Sequence, residues 1–162
     1  MFGKDYLNRL KQSPGWPSDK DFEKGPVAVI ECIQEIPCNP CETVCPKNCI
    51  KVGDPITNLP KFKGNCSGCG KCVIECPGLA IFIIDKNFSE KSASIILPYE
   101  LLPLPKKGDV VIALDREGNE VCEALVQRVN TSKSFNKTAL ITIVVPKEFI
   151  DEVRFFKIKE QG

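Results

Sequence analysis

Nine of the chain's ten cysteines lie between Cys32 and Cys76, and they form a repeat. A displacement of 31 residues sets Cys38 on Cys69, Cys41 on Cys72, Cys45 on Cys76 and Pro46 on Pro77. Ile50 then meets Ile81, so both halves read Cys-x2-Cys-x3-Cys-Pro-x3-Ile. Self-similarity at a fixed period means two copies of one structural unit. The second copy is the fuller one, Cys66-x2-Cys69-x2-Cys72-x3-Cys76-Pro77, with Gly68 and Gly70 in its gaps. Glycine permits the tight, amide-inward turns that bring closely spaced sulfurs round one centre.

Composition removes many chemistries. The sequence has no histidine, which excludes His-ligated haem, Rieske iron, His-containing zinc sites and His-dependent general bases. Its 22 basic and 21 acidic residues give a formal charge of +1, with no basic field for nucleic acid. The N-terminus lacks a signal-peptide core, and no apolar run approaches the length of a membrane span. A cysteine-dense chain of this kind is expected in a reducing cytoplasm, where clustered thiols serve as metal ligands rather than disulfides. No Gly-x-Gly-x-x-Gly or Gly-Lys-[Ser/Thr] loop is present, and no nucleophile–base pair of the usual kind is available.

Thiolate is the soft ligand that iron–sulfur clusters require. Eight cysteines would also suffice for two four-thiolate zinc sites. Zinc ribbons, however, present separated Cys-x2-Cys pairs. Two Cys-Pro endings in register favour iron–sulfur. Cys49 aligns with Ala80 and is read as a buried, unligated thiol beside a cluster. Cys122 is read as a small core residue.

The array over residues 26–87 resembles the bacterial two-cluster ferredoxin family, whose clusters exchange their fourth ligands. The resemblance implies that Cys66, Cys69 and Cys72 bind one [4Fe-4S] cluster with Cys45. Cys38, Cys41 and Cys76 would bind the other. The first copy departs from the pattern, because the repeat puts Glu35 where the fourth ligand of that cluster should be. Three outcomes are open. Cys32 reaches the cluster, Glu35 supplies an oxygen, or the site holds a [3Fe-4S] cluster with an empty corner. The preference of clusters for thiolate favours Cys32.

Three segments separate by composition. Residues 1–25 form a polar arm around Pro14-Gly15-Trp16-Pro17, unable to bury much of itself and a candidate for partner docking through Trp16. Residues 26–87 are expected to form an α+β ferredoxin-like two-cluster domain, as the resemblance implies. Residues 88–162 are expected to form a small all-β barrel or sandwich. Its expected strands are Ala93–Leu97, Asp109–Leu114, Val121–Val129, Thr138–Val145 and Arg154–Ile158, with a break at Pro98 and a short helix from Pro146.

Without a catalytic constellation of its own, the chain is expected to move electrons for another protein. Together with Gly108-Asp109-Val110-Val111 and Asp115-Arg116-Glu117-Gly118, it resembles the dicluster subunits that accompany FAD-dependent amino-acid or amine dehydrogenases of anaerobic bacteria. That likeness implies a flavoprotein partner. A standalone ferredoxin with an added β domain, or a cluster-based redox sensor, are the alternatives.

Overall fold

The computed structural model describes residues 3–131 and 138–159. In chain order these hold Lys4–Gln12 (α1), Asp19–Glu23 (α2), Val27–Ile30 (β1), Pro40–Val44 (α3), Ile50–Lys51 (β2), Lys61–Phe62 (β3), Lys71–Glu75 (α4), Ile81–Asp85 (β4), Ser92–Tyr99 (β5), Val110–Leu114 (β6), Glu120–Asn130 (β7), Ala139–Pro146 (β8) and Phe155–Ile158 (β9). Seven strands make one antiparallel sheet in the order β1-β4-β5-β8-β7-β6-β9, and β2 and β3 pair separately.

The architecture follows from two strands that lack a polar face. β1 is buried at every position, and so is β4 up to Ile84. Side chains alternate across a strand, so each of the two strands supplies both of its sides with apolar groups. Val27, Val29, Phe82 and Ile84 enter a large core with Ile95, Ile141, Ile143 and Phe156 of the remaining sheet. Ala28, Ile30, Ile81 and Ile83 face a second core with Cys41, Cys49, Cys72 and Val73 of the cysteine loops. A strand apolar on both sides needs a layer over each. The cysteine loops cover one side and β5–β9 the other.

This corrects the expected fold class. The chain does not form an α+β ferredoxin-like domain followed by a separate small all-β unit. It is mostly one large antiparallel sheet with a few short helices. The physical reason is the free edge of β4, which pairs with β5 through Ile83↔Ile96 and Ile84↔Ile95. That pairing draws strands from both sides of residue 88 into one ladder.

The sheet is curled. Seven strands spaced at about 4.8 Å would hold the outer two about 29 Å apart if flat. Yet Glu31, next after β1, bonds Arg154, next before β9, at 2.6 Å. Twist accumulated across the strands brings the two ends of the sheet towards each other.

Two local expectations also change. Pro98 does not break β5 but pairs within it, opposite Leu140. The β4 ladder ends at Ile96, so Pro98 has a strand on one side only and its missing N–H faces no partner. The turn after β8 is a single 3₁₀ turn, Lys147–Phe149, rather than a helix.

The N-terminal arm is folded against the rest of the chain rather than left bare. A Ser18–Asp21 capping box starts α2. Leu10 and Phe22 are buried, and Trp16 packs on the large core with its ring edge-on to Phe22. Main-chain bonds fasten the arm, with Ile30 N–H donating to Gly15 O and Phe62 N–H to Pro14 O. Met1 and Phe2 of the expected arm lie outside the described residues.

Gly15 marks the closest approach. A Cβ there would stand 2.8 Å from both the Cβ and the carbonyl oxygen of Ile30. Gly15→Ala is expected to cost about 1–3 kcal/mol by overpacking. The effect is read as a lower urea midpoint with an unchanged slope. An unchanged midpoint would show that the arm is not tightly seated on β1.

Candidate metal centre

The repeat seen in sequence is also a repeat of local structure. α3 and α4 are offset by 31 residues. Each follows its loop of cysteines and ends at a Cys-Pro pair. Three residues past the cysteine, the chain makes the same turn in both copies. Asn48 and Leu79 take left-handed backbone conformations, at φ 56° and 53°. Their N–H groups donate to Cys45 O and Cys76 O, both at 3.3 Å. The next N–H of each copy turns onto the cysteine sulfur, Cys49 onto Cys45 Sγ at 3.2 Å and Ala80 onto Cys76 Sγ at 3.4 Å. Asn tolerates this conformation, whereas Leu adopts it at a cost of about 1–2 kcal/mol. The turn is therefore imposed by its surroundings. Gly68 and Gly70 take the positive φ expected of them, and both are hemmed in, by Pro26 and Leu140 respectively.

Contact between α3 and α4, together with the strand pairings β1–β4 and β2–β3, brings thiols of different copies together. Two cavities result. The first is lined by Cys32, Cys38, Cys41 and Cys76. The second is lined by Cys45, Cys66, Cys69 and Cys72, with Cys49 as a fifth thiol. The structure thus groups Cys76 with the first copy and Cys45 with the second. Cys32 lies on the wall of the first cavity, while Glu35 is exposed and outside that lining. Cys122 sits on β7 opposite Ala113 and lines neither cavity.

All ten cysteines are free. Their electrostatics report close packing. Burial pushes the Cys41 thiol up to about 11, with the neighbouring Cys76 adding to the rise. Burial raises Cys72 further, helped by Cys66, Cys69 and Cys45. Cys32 is raised by burial, partly offset by its contact with Gln34. Cys45 goes the other way. Burial opposes its ionisation, but the N–H groups of Cys49, Lys47 and Asn48 outweigh burial. Cys66 Sγ accepts from the N–H groups of Ala28 and Gly68, each at 3.4 Å. Burial and mutual proximity make most of these thiols resist ionisation.

The donors gathered in each cavity are thiols, the ligand type that iron–sulfur clusters take. Among the described residues, no group of three or more His, Cys, Asp or Glu side chains is arranged to hold one metal ion. A zinc ion needs its sulfurs at about 2.3 Å from a single point. A cubane's ligands instead surround a multi-atom body, with one thiolate at each iron and N–H groups directed at sulfur.

Sequence reasoning missed one feature near the first cavity. Glu31 is held by both nitrogens of an Arg116 fork at 2.8 and 2.9 Å and by Arg154, immediately before Cys32. No local signal announces it, because its partners lie 85 and 123 residues away.

No helix of the described chain is long and apolar enough to cross a membrane. Comparison with family models, curated proteins and solved structures finds no match to this chain.

Proposed function

We propose that the chain transfers electrons through two [4Fe-4S] clusters, as the iron–sulfur subunit of a multisubunit, flavin-dependent oxidoreductase in a reducing cytoplasm. The observation that carries this reading is the sorting of eight cysteines into two cavities, with one cysteine of each copy contributed to the other copy's cavity. When bound, each cluster would supply a one-electron redox site. The chain's own residues do the rest. Cys32, Cys38, Cys41 and Cys76 would hold the first cluster, and Cys45, Cys66, Cys69 and Cys72 the second. The N–H groups of Ala28, Cys49, Gly68 and Ala80 stabilise negative charge on the sulfurs. Ile30, Ile81 and Ile83 keep water from the strand side of the two cavities.

The subunit reading rests on what accompanies the cysteines. The sequence has no histidine for acid–base chemistry and no nucleotide loop, so substrate chemistry is assigned to a partner. A flavoprotein dehydrogenase is the partner that the cysteine array and the tail motifs point to.

The test is an anaerobic pull-down of the tagged full chain, with iron, sulfide and flavin analysis of the eluate. About eight irons per chain and a stoichiometric flavoprotein are expected. About eight irons without a partner would leave a standalone carrier. About seven would mean that Cys32 does not complete the first site. A chain that takes up zinc in preference to iron and sulfide would overturn the proposal.

A further inference from the structure

Charge is divided unevenly between the two thiol cavities. Residues 43–74 carry Lys47, Lys51, Lys61, Lys63 and Lys71, all exposed, against a single acid, Asp54. Lys47 and Lys71 stand on the wall of the Cys45 cavity. Lys63 is fastened beside it, its N–H donating to Cys49 O at 2.6 Å. Lys61 on β3 is the register partner of Lys51 on β2. Like charges directly opposite weaken a sheet, and this ladder has only two pairs. Glu42 relieves Lys51 at 3.1 Å, but the other four lysines make no ion pair among the described residues. Asp21 comes near at Gly64, with one of its oxygens held by the Ser18 cap. A loaded cluster site would itself contribute a charge of about −2, which leaves this rim positive. Folding gains nothing from such a concentration of lysine.

Cys69, on the same wall, is the one exposed cysteine of the ten. The thiols therefore reach the surface inside the lysine rim. The Cys32 cavity is surrounded differently. Residues 30–46 and 72–85 contain no lysine or arginine, and Arg116 and Arg154, which approach from later in the chain, are engaged by Glu31. Ile36 on that wall is apolar and exposed, as is Leu79 between Gly78 and Ala80 of the same wall.

We propose that the lysine rim around Cys69 docks a separate, acidic electron-carrier protein, which draws electrons from the Cys45 site. This rests on the two-cluster function proposed above. One electron passes from the reduced site to the carrier's oxidised centre. The site is oxidised, the carrier is reduced, and no covalent bond changes. Complementary charge speeds and orients a transient encounter. A permanent subunit contact is more apolar, as the Ile36 side is. The rim has lysine but no arginine and no exposed aromatic ring, the residues that grip phosphates bidentately and stack on bases. A carboxylate-rich protein surface, not a nucleic acid, is its match.

Stopped-flow reduction of an acidic flavodoxin by the anaerobic, pre-reduced holoprotein tests this. The wild-type second-order rate should fall roughly tenfold between about 0.01 and 0.5 M salt. Lys61→Glu with Lys63→Glu, and separately Lys47→Gln with Lys71→Gln, should each lower the low-salt rate by roughly three- to thirtyfold and flatten its salt dependence. Lys106→Glu with Lys107→Glu changes the net charge as much as the first pair does, at exposed positions outside both cavity linings. It should leave the rate nearly unchanged. The flavoprotein should still copurify with every variant. A salt-independent wild-type rate, equal slowing by the remote pair, or loss of the flavoprotein from the Lys61 and Lys63 variant overturns the inference. So does an oligonucleotide that binds the rim at about 0.15 M salt while the flavodoxin rate ignores both pairs of rim substitutions. Where one rim variant loses iron, the other and the wild-type salt profile decide. Wild-type protein with about eight irons that fails these tests removes this inference alone. Wild-type protein that assembles no clusters removes the proposed function and this inference together.

Discussion

Glu31→Gln is expected to destabilise the chain by about 3–5 kcal/mol, the usual cost of removing one partner from a buried ion pair. The Glu31 side chain is 8% exposed and that of Arg154 3% exposed. Arg154 Nε donates to one carboxylate oxygen, and Arg116 grips both. Two carbonyl oxygens, of Ile150 and Val153, take the remaining bonds of Arg154 Nη1. Without the carboxylate, the guanidinium would be left buried with Asp151 as the remaining acidic neighbour, itself engaged by Lys11 and Lys86. The cost should be felt at the seam where the two ends of the curled sheet meet. Arg116→Ala, at a side chain 14% exposed, should cost less. Glu31→Leu combined with Arg154→Met should recover much of the loss, since it removes both charges from the interior.

Urea unfolding of the anaerobic holoprotein at neutral pH checks all three variants, and a Glu31→Gln loss below about 1 kcal/mol would show that the seam is not held by this pair. The pH dependence has a definite sign. Burial alone would raise the Glu31 carboxyl, but the charges of Arg154 and Arg116 hold it below its ordinary value of 4.5. A depressed folded-state pKa means a contribution fully present above the unfolded-state value. That contribution is lost as pH falls below about 4.5 and through the lower folded-state value.

On the proposed two-cluster reading, stripping iron with a chelator is expected to melt the cysteine layer and to spare the large sheet. The smaller core contains Cys41, Cys49 and Cys72 beside Ile50, Val52 and Val73. α3 and α4 have five residues each, and β2 and β3 two each, too short to stand alone. Metal binding free energy is then folding free energy for that layer. β5, β7 and β8 draw instead on Ile95, Leu97, Val126, Ile141 and Ile143, all at most 1% exposed and in the other core. Hydrogen exchange should therefore rise over residues 32–80 and stay slow in β5, β7 and β8. Cys45→Ala is the genetic counterpart. Its sulfur belongs to the second copy's cavity, so it should cost that site's iron, about four of eight, and leave the Cys32 site loaded. Uniform loss of protection across the chain would mean that the large sheet depends on the clusters as well.

The cysteine repeat was legible in the sequence because it is local. Spacings of two and three residues, a Cys-Pro stop and a 31-residue period all act within one or two turns of chain. The same turns recur at Asn48 and Leu79, at α3 and α4, and at Cys45 and Cys76. Most of the later strands were legible for a similar reason. β6 and β8 are β-branched or apolar runs, and β7 alternates apolar and polar residues after the Asp115–Asn119 turn. Pro98 misled because proline's effect depends on which side of the strand has a neighbour. That is a matter of pairing, not of the residue itself. The arm misled because its polar composition concealed three anchors, Leu10, Trp16 and Phe22, whose receiving surface is made by distant strands.

By itself, then, the sequence determined the thiol repeat, the absence of any histidine ligand or base and the position of most later strands. Only the tertiary structure decided that β4 would take β5 as its neighbour, turning an expected pair of units into one curled sheet. Only it revealed Glu31 between two arginines. Edge pairing and buried ion pairs join residues dozens of positions apart. Their free energy depends on burial that no stretch of sequence carries alone.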